Sequence, residues 1–531
     1  MTRNADASAA PSVGSKSSSP PTILGHPAGL FLLFLVEMWE RFSYYGMRGL
    51  LVLYLVQSAH PTPDASGFFN PGRGWSQTEA SVLYGWYTGL AYLLPIAGGW
   101  IADNLLGTHQ SMVVGGSLIA LGHLVLAVSG IGSLAHSHAG MSVFVFGLAL
   151  IVIGTGHFKP CVSVMVGDLY ARADPRRDGA FTIFYMGINL GAFLSAFVCG
   201  TLGERVGWHW GFGSAAIGMV AGLLLYVSMR ERLLGEIGLA PRERSNVSVP
   251  LALAGIASAA AFAAFYHTGL LARLVSLNAG RMAGFVLAAL ALAWTIRFVM
   301  ALAPQERGPT ATIFVYMLFN AVFWLAFEQA GSSLNLFTDT RTNRMLGTFE
   351  IPTTWFQSVN AGLIFILAPL FAVIWSALGR RGRDPGQPLK IALGLFFLAL
   401  GYVFMVWAGM IAAAPGAKAS MWFLLATYFW HTVGELCLSP TGLSYVTMAA
   451  PTRFVSLLMG IWFISTFMAN LGGGIVASNV EAVERGEIAL PWHFGGQADF
   501  FMLFVVSAFV AGSLIACLAP RLQRLGKRPF A

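Results

Sequence analysis

Glu37-Met38-Trp39-Glu40-Arg41-Phe42-Ser43-Tyr44-Tyr45-Gly46-Met47-Arg48 lies inside an apolar run that begins near Leu30 and continues to about Val56. Four ionisable groups therefore stand where a first membrane-spanning helix is expected. A charged side chain near the bilayer centre costs roughly 3 kcal/mol even on the lenient insertion scale, so such residues face a bundle interior or a water-filled cavity. Counted from Glu37, the residues Glu40, Arg41, Tyr44, Tyr45 and Arg48 fall at the i, i+3, i+4, i+7, i+8 and i+11 positions of one helical stripe. Two acids, two bases and two phenols thus share one inward-turned polar seam, within reach of one another.

Composition sets the class around this helix. Of 531 residues, 56% are hydrophobic and only 10% charged, and the mean hydropathy of +0.68 is far above that of a soluble globular chain. The fold class is an all-α polytopic membrane protein, with the lipid bilayer as its first partner. The net charge of +8 could suit nucleic acid. The basic residues sit mostly in short loops between apolar runs, however, and read as topology signals, so no nucleic-acid partner is expected. Cys161, Cys199, Cys437 and Cys517 all lie in apolar segments without CxxC spacing and are expected to be buried free thiols.

Residues 1–26 are rich in Ser, Ala and Pro and carry no apolar signal region, which reads as a disordered cytoplasmic tail. Spans of the required ~20 residues follow helix one at about 77–102, 109–131, 141–168, 179–204 and 209–230, giving an N-terminal six-helix bundle over 27–230. The polar stretch 231–248 reads as a cytoplasmic linker. Two spans without intramembrane charge, within 249–303, are predicted to be peripheral and lipid-facing. Six more, at about 311–337, 352–378, 388–412, 420–448, 453–478 and 498–519, make a C-terminal bundle over 304–520, with a cytoplasmic tail at 521–531. The total is about 14 transmembrane helices. Arg172, Arg176, Arg177, Arg307, Arg380, Arg381, Arg383, Arg453 and Arg521 fall on one side, which makes both termini cytoplasmic. Two six-helix halves joined by a cytoplasmic loop suggest a pseudo-symmetric transporter that binds substrate at mid-membrane between them.

Three further ionisable residues lie within spans: Lys159, Glu328 and Glu435. At 1.5 Å per residue, Lys159 lies ~25 Å and Glu435 ~22 Å from the outer ends of their helices, and so share a level in the inner half. Counting from the cytoplasm puts Arg48 and Glu328 together in the outer half. Matched depth and opposite charge make Lys159 with Glu435, and Arg48 with Glu328, candidate ion pairs between the halves. Pairs on opposite sides of a cavity serve alternating gates, since each closes only when the other opens. The plainer reading is two static staples, although a buried pair adds little net stability over apolar packing. Asn189 and Asn360 lie at comparable depth, where an interhelical hydrogen bond worth under ~1 kcal/mol is the minimal role. Gly85 with Gly89, and Gly187 with Gly191, read as close helix packing. Pro160 and Pro440 should bend their helices beside Lys159 and Glu435. Tyr44, Tyr45, Tyr92, Trp324, Phe327, Trp462 and Phe463 lie mid-span and could line side-chain pockets, while His157 reads as a packed histidine. No HExxH, GxSxG or phosphate-cradling loop stands in a credible context, so no catalytic residue, metal site or enzyme activity is expected.

These residues resemble the proton-dependent oligopeptide transporter family of the major facilitator superfamily, in its bacterial form. Its ExxERFxYYG signature is similar to Glu37 through Gly46, unbroken. Further similar stretches are Gly99–Asp103, Gly154-Thr155-Gly156-His157-Phe158-Lys159-Pro160, Phe184–Gly191, Phe327-Glu328-Gln329, Glu435 with Ser439–Ser444, and Trp462-Phe463. The two inserted spans also look like the insertion of bacterial members. The resemblance implies the major facilitator fold, and it implies that Arg41 and Lys159 hold a peptide's terminal carboxylate. Asn189, Asn360 and Glu435 would receive its terminal amine, with Ser439 nearby. Tyr44, Tyr45, Tyr92, Trp324 and Trp462 would border side-chain pockets. Glu37, Glu40, Arg41 and Glu328 would couple protons, Arg48 and Glu328 would form the outer gate, and Lys159 and Glu435 the inner one. A short peptide is a zwitterion, and bases in one half with an acid in the other match its two ends. Two positions depart from the family: Cys161 stands where Asn usually follows the Lys-Pro, and Gly85 stands where animal members carry a proton-handling histidine.

The expected activity is therefore proton-driven import of di- and tripeptides across a bacterial inner membrane, with the proton as coupling ion, no other cofactor, and the monomer as functional unit. Another facilitator activity, on a drug, nitrate or an amino-acid conjugate, is the nearest alternative, because a fold does not fix its substrate. A polytopic receptor or membrane enzyme is a more distant one.

Overall fold

The structure, a computed structural model, describes residues 21–62, 67–171, 174–239, 247–270, 290 and 292–526. The tail before residue 21, Arg172, the middle of the 231–248 linker, most of the second inserted span and the last five residues lie outside them. Thirteen described helices have at least 19 residues. In the N-terminal half these are α1 (Ala28–Val56), α2 (Gln77–Ile101), α3 (Gly107–Val128), α4 (His138–Asp168), α5 (Arg177–Ser195) and α6 (Trp208–Leu234). The inserted α7 (Ser248–His267) follows. The C-terminal half has α8 (Pro304–Phe327), α9 (Ser358–Arg380), α10 (Gln387–Ala412), α11 (Met421–Ala449), α12 (Val455–Ala477) and α13 (Ala498–Gly526). Ten helical stretches among the described residues are long and apolar enough to cross a membrane, as befits a multi-pass membrane protein. At 29 residues α1 has the length as well, but its four charges set it apart from the purely apolar spans.

Local chemistry starts the helices where the polar pattern predicts. Ser76 and Glu79 form a reciprocal capping box at α2, with Ser76 Oγ accepting from the Glu79 amide at 3.2 Å. Ser137 Oγ accepts from the Gly140 amide at 3.0 Å to open α4. α1 is packed between α5 and α6, so almost all of it is buried. Small residues allow the closest approaches. A Cβ on Gly98 of α2 would run into the Gly156 carbonyl, the one that Pro160 leaves without its helical donor. Gly98 thus lets α2 cover a carbonyl group beside Lys159.

The two bundles meet along α2 with α12 and α5 with α9. They are stitched at the end of the molecule where α1 finishes, called here the Val56 end. A Cβ on Gly85 would lie 2.9 Å from Gly474 Cα, Thr78 Oγ1 donates to the Ser478 carbonyl at 2.9 Å, and Asn335 Nδ2 donates to the Gly49 carbonyl at 2.9 Å. The inserted α7 lies on α3 and α4, with Gly255 against Ile153 and Leu118 and with Leu253, Phe262 and Phe265 exposed. The short helix Leu292–Ala301 instead docks on the C-terminal half, where Phe298 meets Phe454 at 5.2 Å. One cysteine expectation is corrected. Cys161, Cys199 and Cys437 are buried and free, but Cys517 is exposed, because it lies on the lipid-facing side of α13 rather than in the core.

Candidate functional site

A cavity of about 190 Å³ lies between the bundles, and both contribute to its wall. The N-terminal half supplies Tyr45 and Arg48 from α1, Tyr92 from α2, and Tyr185 and Asn189 from α5; the C-terminal half supplies Trp324 from α8, Glu328 just beyond it, Asn360 from α9 and Glu435 from α11. Its volume is room for a handful of waters or a small polar solute.

On the C-terminal wall, Asn360 Nδ2 donates to Glu435 Oε2 at 2.8 Å and to Thr432 Oγ1 at 2.9 Å, fixing the carboxylate on the cavity side of α11. Trp324 is held by its Nε1 donating to Asn320 Oδ1 at 3.1 Å and by edge contact with Phe327 at 5.0 Å. On the N-terminal wall, Asn189 Nδ2 is bonded to its own helix, to the Tyr185 carbonyl at 3.0 Å.

The basic groups sit one layer back. Lys159 Nζ lies 3.5 Å from the centre of the Tyr92 ring, so an aromatic face substitutes for a counter-ion and separates the ammonium from the cavity. Arg41, only 4% exposed, has its Nε 3.1 Å from Glu37 Oε1 and 2.5 Å from Glu40 Oε2. Both partners belong to α1 itself. Arg41 Nη2 and Glu37 Oε2 are buried without a hydrogen-bond partner. The cluster therefore holds polar capacity that its own helix does not use.

Two turns further along, Arg48 Nη2 is ion-paired with Glu328 Oε2 across the bundle interface, and Arg48 Nε donates to Tyr84 Oη at 2.7 Å. The other pair matched by depth, Lys159 with Glu435, is not closed: Lys159 is on Tyr92 and Glu435 is bonded to Asn360. Each charge is instead taken up within its own half, the ammonium by the Tyr92 ring and the carboxylate by Asn360.

Of the residues singled out in the sequence, Tyr45, Arg48, Tyr92, Asn189, Trp324, Glu328, Asn360 and Glu435 come together around one cavity. Glu37, Glu40, Arg41 and Tyr44 lie buried behind it, and Lys159 half-buried. Trp462 packs in the C-terminal core instead, and the Ser439 side chain lies outside what is described. Sequence reasoning missed Tyr84, Tyr185 and His431. His431 is 1% exposed and lines the cavity; its position four residues before Glu435, on the same helical face, is the signal that could have found it. No group of three or more metal-ligating residues occurs among the described residues.

Residues 110–493 match the family model described as PTR2, POT family. The chain is 38% identical over 476 residues to the peptide transporter YePEPT of Yersinia enterocolitica subsp. palearctica, covering 87% of this chain and 89% of that one. It is 36% identical over 518 residues to a di-/tripeptide transporter of Lactococcus lactis subsp. lactis, covering 95% and 98%. A crystal structure of a peptide transporter POT in complex with sulfate superposes with a TM-score of 0.78 at 34% identity, covering 95% of this chain and 97% of that one.

Proposed function

The chain belongs to the proton-dependent oligopeptide transporter (POT) family of the major facilitator superfamily, and from that premise we propose that it is a proton-coupled symporter importing di- and tripeptides by alternating access. The observation that carries the reading is the division of charge around one cavity: a fixed carboxylate, Glu435 on Asn360, in one bundle, and two cations in the other, Lys159 behind Tyr92 and Arg41 against Tyr44. A peptide's amine goes to Glu435, Asn360 and Asn189. Its carboxylate draws toward Arg41, whose Nη2 is unpartnered, and toward Lys159 once Tyr92 shifts. Tyr45 and Trp324, which line the cavity, border its side chains.

Coupling is local electrostatic exchange. Arg41 is shared between Glu37 and Glu40. A peptide carboxylate competes for that cation, and the acid it displaces holds a proton more readily. Inward movement of a proton down a 100 mV potential supplies ~2.3 kcal/mol per charge, enough for roughly a fifty-fold gradient. The positive loops orient both termini to the cytoplasm of a bacterial inner membrane. The Val56 end is then external, and the present arrangement, with Arg48 on Glu328 and Lys159 apart from Glu435, is the outwardly closed state of a protein working as a monomer.

Uptake of a labelled dipeptide into proteoliposomes, with and without an inward proton gradient, tests this. Gradient-dependent accumulation is expected. Its absence, with transport of a drug, nitrate or an amino-acid conjugate in its place, would assign the cavity to another substrate.

A further inference from the structure

The Val56 end carries a second set of contacts between the bundles that the Arg48–Glu328 pair does not explain. Beyond Ser195, α5 passes through a wide turn at Ala196–Gly200 and continues as Thr201–Arg205, which carries Glu204 to the segment leading into α9. Both of its carboxylate oxygens are used. Oε2 accepts from the Thr353 amide at 2.8 Å, and Oε1 accepts from the Thr354 amide at 2.8 Å and from Thr354 Oγ1 at 2.6 Å. Thr353 and Thr354 begin a helical stretch that runs through α9 to Arg380, so their amides have no acceptor within that helix, and a carboxylate is the group that such a start favours. Thr201 Oγ1 accepts from Trp355 Nε1 at 2.8 Å. At Gly200 the approach is so close that a Cβ would run into Thr354 Oγ1.

Gly200 and Thr354 also line the central cavity. The contact is therefore its roof as well as a joint between the halves. Beside it lies a recess of about 220 Å³ bordered by Arg205 and Arg344 and by the acids Asp339 and Glu350, with which Arg344 is ion-paired; it admits water to a released carboxylate.

We propose that Glu204 is a second gate at the Val56 end: its carboxylate latches the tip of α5 to the start of α9, and the latch releases each time the cavity opens on that side. This rests on the alternating-access reading but not on the identity of the substrate. The latch differs in kind from Arg48–Glu328. Its donors are mainly backbone amides at one helix start, so the contact depends on the position of α9 as a body, and a rocking movement that carries α9 away removes all three hydrogen bonds together. Glu204 acts through the bundle it holds, and it is a positioning residue rather than a ligand of the substrate.

The test uses the full chain in right-side-out and in inside-out membrane vesicles, without peptide or gradient. Ala361 on α9 lines the cavity; Ala361→Cys serves as reporter, and labelling by a membrane-impermeant maleimide is measured from each side as the increment over the parent. Glu204→Gln should raise the ratio of outside to inside labelling about tenfold, a shift of ~1.4 kcal/mol. Thr354→Val, which removes only one of the three donors, should raise it about threefold and carries the test should Glu204→Gln fail to fold. A fall in thermal stability with the labelling ratio unchanged would make Glu204 a structural cap and overturn the proposal. Altered labelling in a protein that does not take up peptides would refute the substrate reading and leave the latch standing.

Discussion

Arg41 and Arg48 stand on one helix, about two turns apart, and both are buried, yet their surroundings differ. Arg48 is satisfied across the interface by Glu328 of the other bundle, and within its own by Tyr84 Oη at 2.7 Å. Arg41 has partners from its own helix, Glu37 at 3.1 Å, Glu40 at 2.5 Å and the Tyr44 ring at 5.2 Å, and one Nη2 unpartnered among the described residues. A buried donor left unmade costs about 1–3 kcal/mol. A cation satisfied across a joint holds that joint. A cation left short within its own bundle is suited to a ligand, because an incoming carboxylate removes the shortfall.

The contrast can be broken by exchanging the two roles. Glu40→Gln should give the largest effect, a loss of at least a hundredfold in gradient-driven uptake with counterflow kept within a few fold; survival of driven uptake would remove Glu40 from coupling. Arg41→Ala leaves two buried acids without their cation, a change of roughly 3–5 kcal/mol, and should lower peptide affinity by about a hundredfold in a binding titration. Glu328→Gln should leave affinity within about threefold while increasing labelling of the cavity from the Val56 side about tenfold, and equal losses of affinity for the two substitutions would abolish the distinction. A smaller effect, about twofold in the same labelling, is expected of Gly85→Ala, whose methyl would meet Gly474 Cα at 2.9 Å.

The smallest effect belongs to a charge pair outside the membrane. Arg176 donates to both oxygens of Asp174, at 3.1 and 2.8 Å, and these hydrogen bonds hold the Asp174 carboxyl down at about 2 from its ordinary 3.8. Because the folded-state value is depressed, the contribution of the pair is present above pH 3.8 and fades only as pH falls through about 2. Asp174→Asn should leave the pH profile of uptake between pH 5 and 8 unchanged, because the Asp174 carboxyl is ionised throughout that range.

The α1 seam was legible because period 3.6 and the expense of charge in lipid both act along the sequence. The Arg48–Glu328 contact was legible from depth, because rise per residue converts position into height. Depth does not report which neighbour a charge takes, and so Lys159 and Glu435, matched in height, are found on Tyr92 and Asn360 instead. Glu204 reads in sequence as an ordinary charge at a helix end; its role depends on amides 150 residues away, which only the packing of α5 on α9 brings near. Tyr84 gave no signal, since a tyrosine next to Gly85 looks like packing until Arg48 is seen to donate to it. The exposure of Cys517 escaped notice for a related reason, as an apolar helix has a lipid face and a core face with the same composition.

The central claim is that the acid wall at Glu435 and the basic layer at Arg41 and Lys159 grip the two ends of one peptide. Titration of the purified protein with a dipeptide, its N-acetyl derivative and its C-terminal amide tests this most directly, in the parent and in Glu435→Gln. Each blocked end should weaken binding about a hundredfold in the parent, and acetylation should make no further difference in Glu435→Gln. Blocked peptides that bind as tightly as the free one, or an acetylation penalty undiminished in Glu435→Gln, would contradict it.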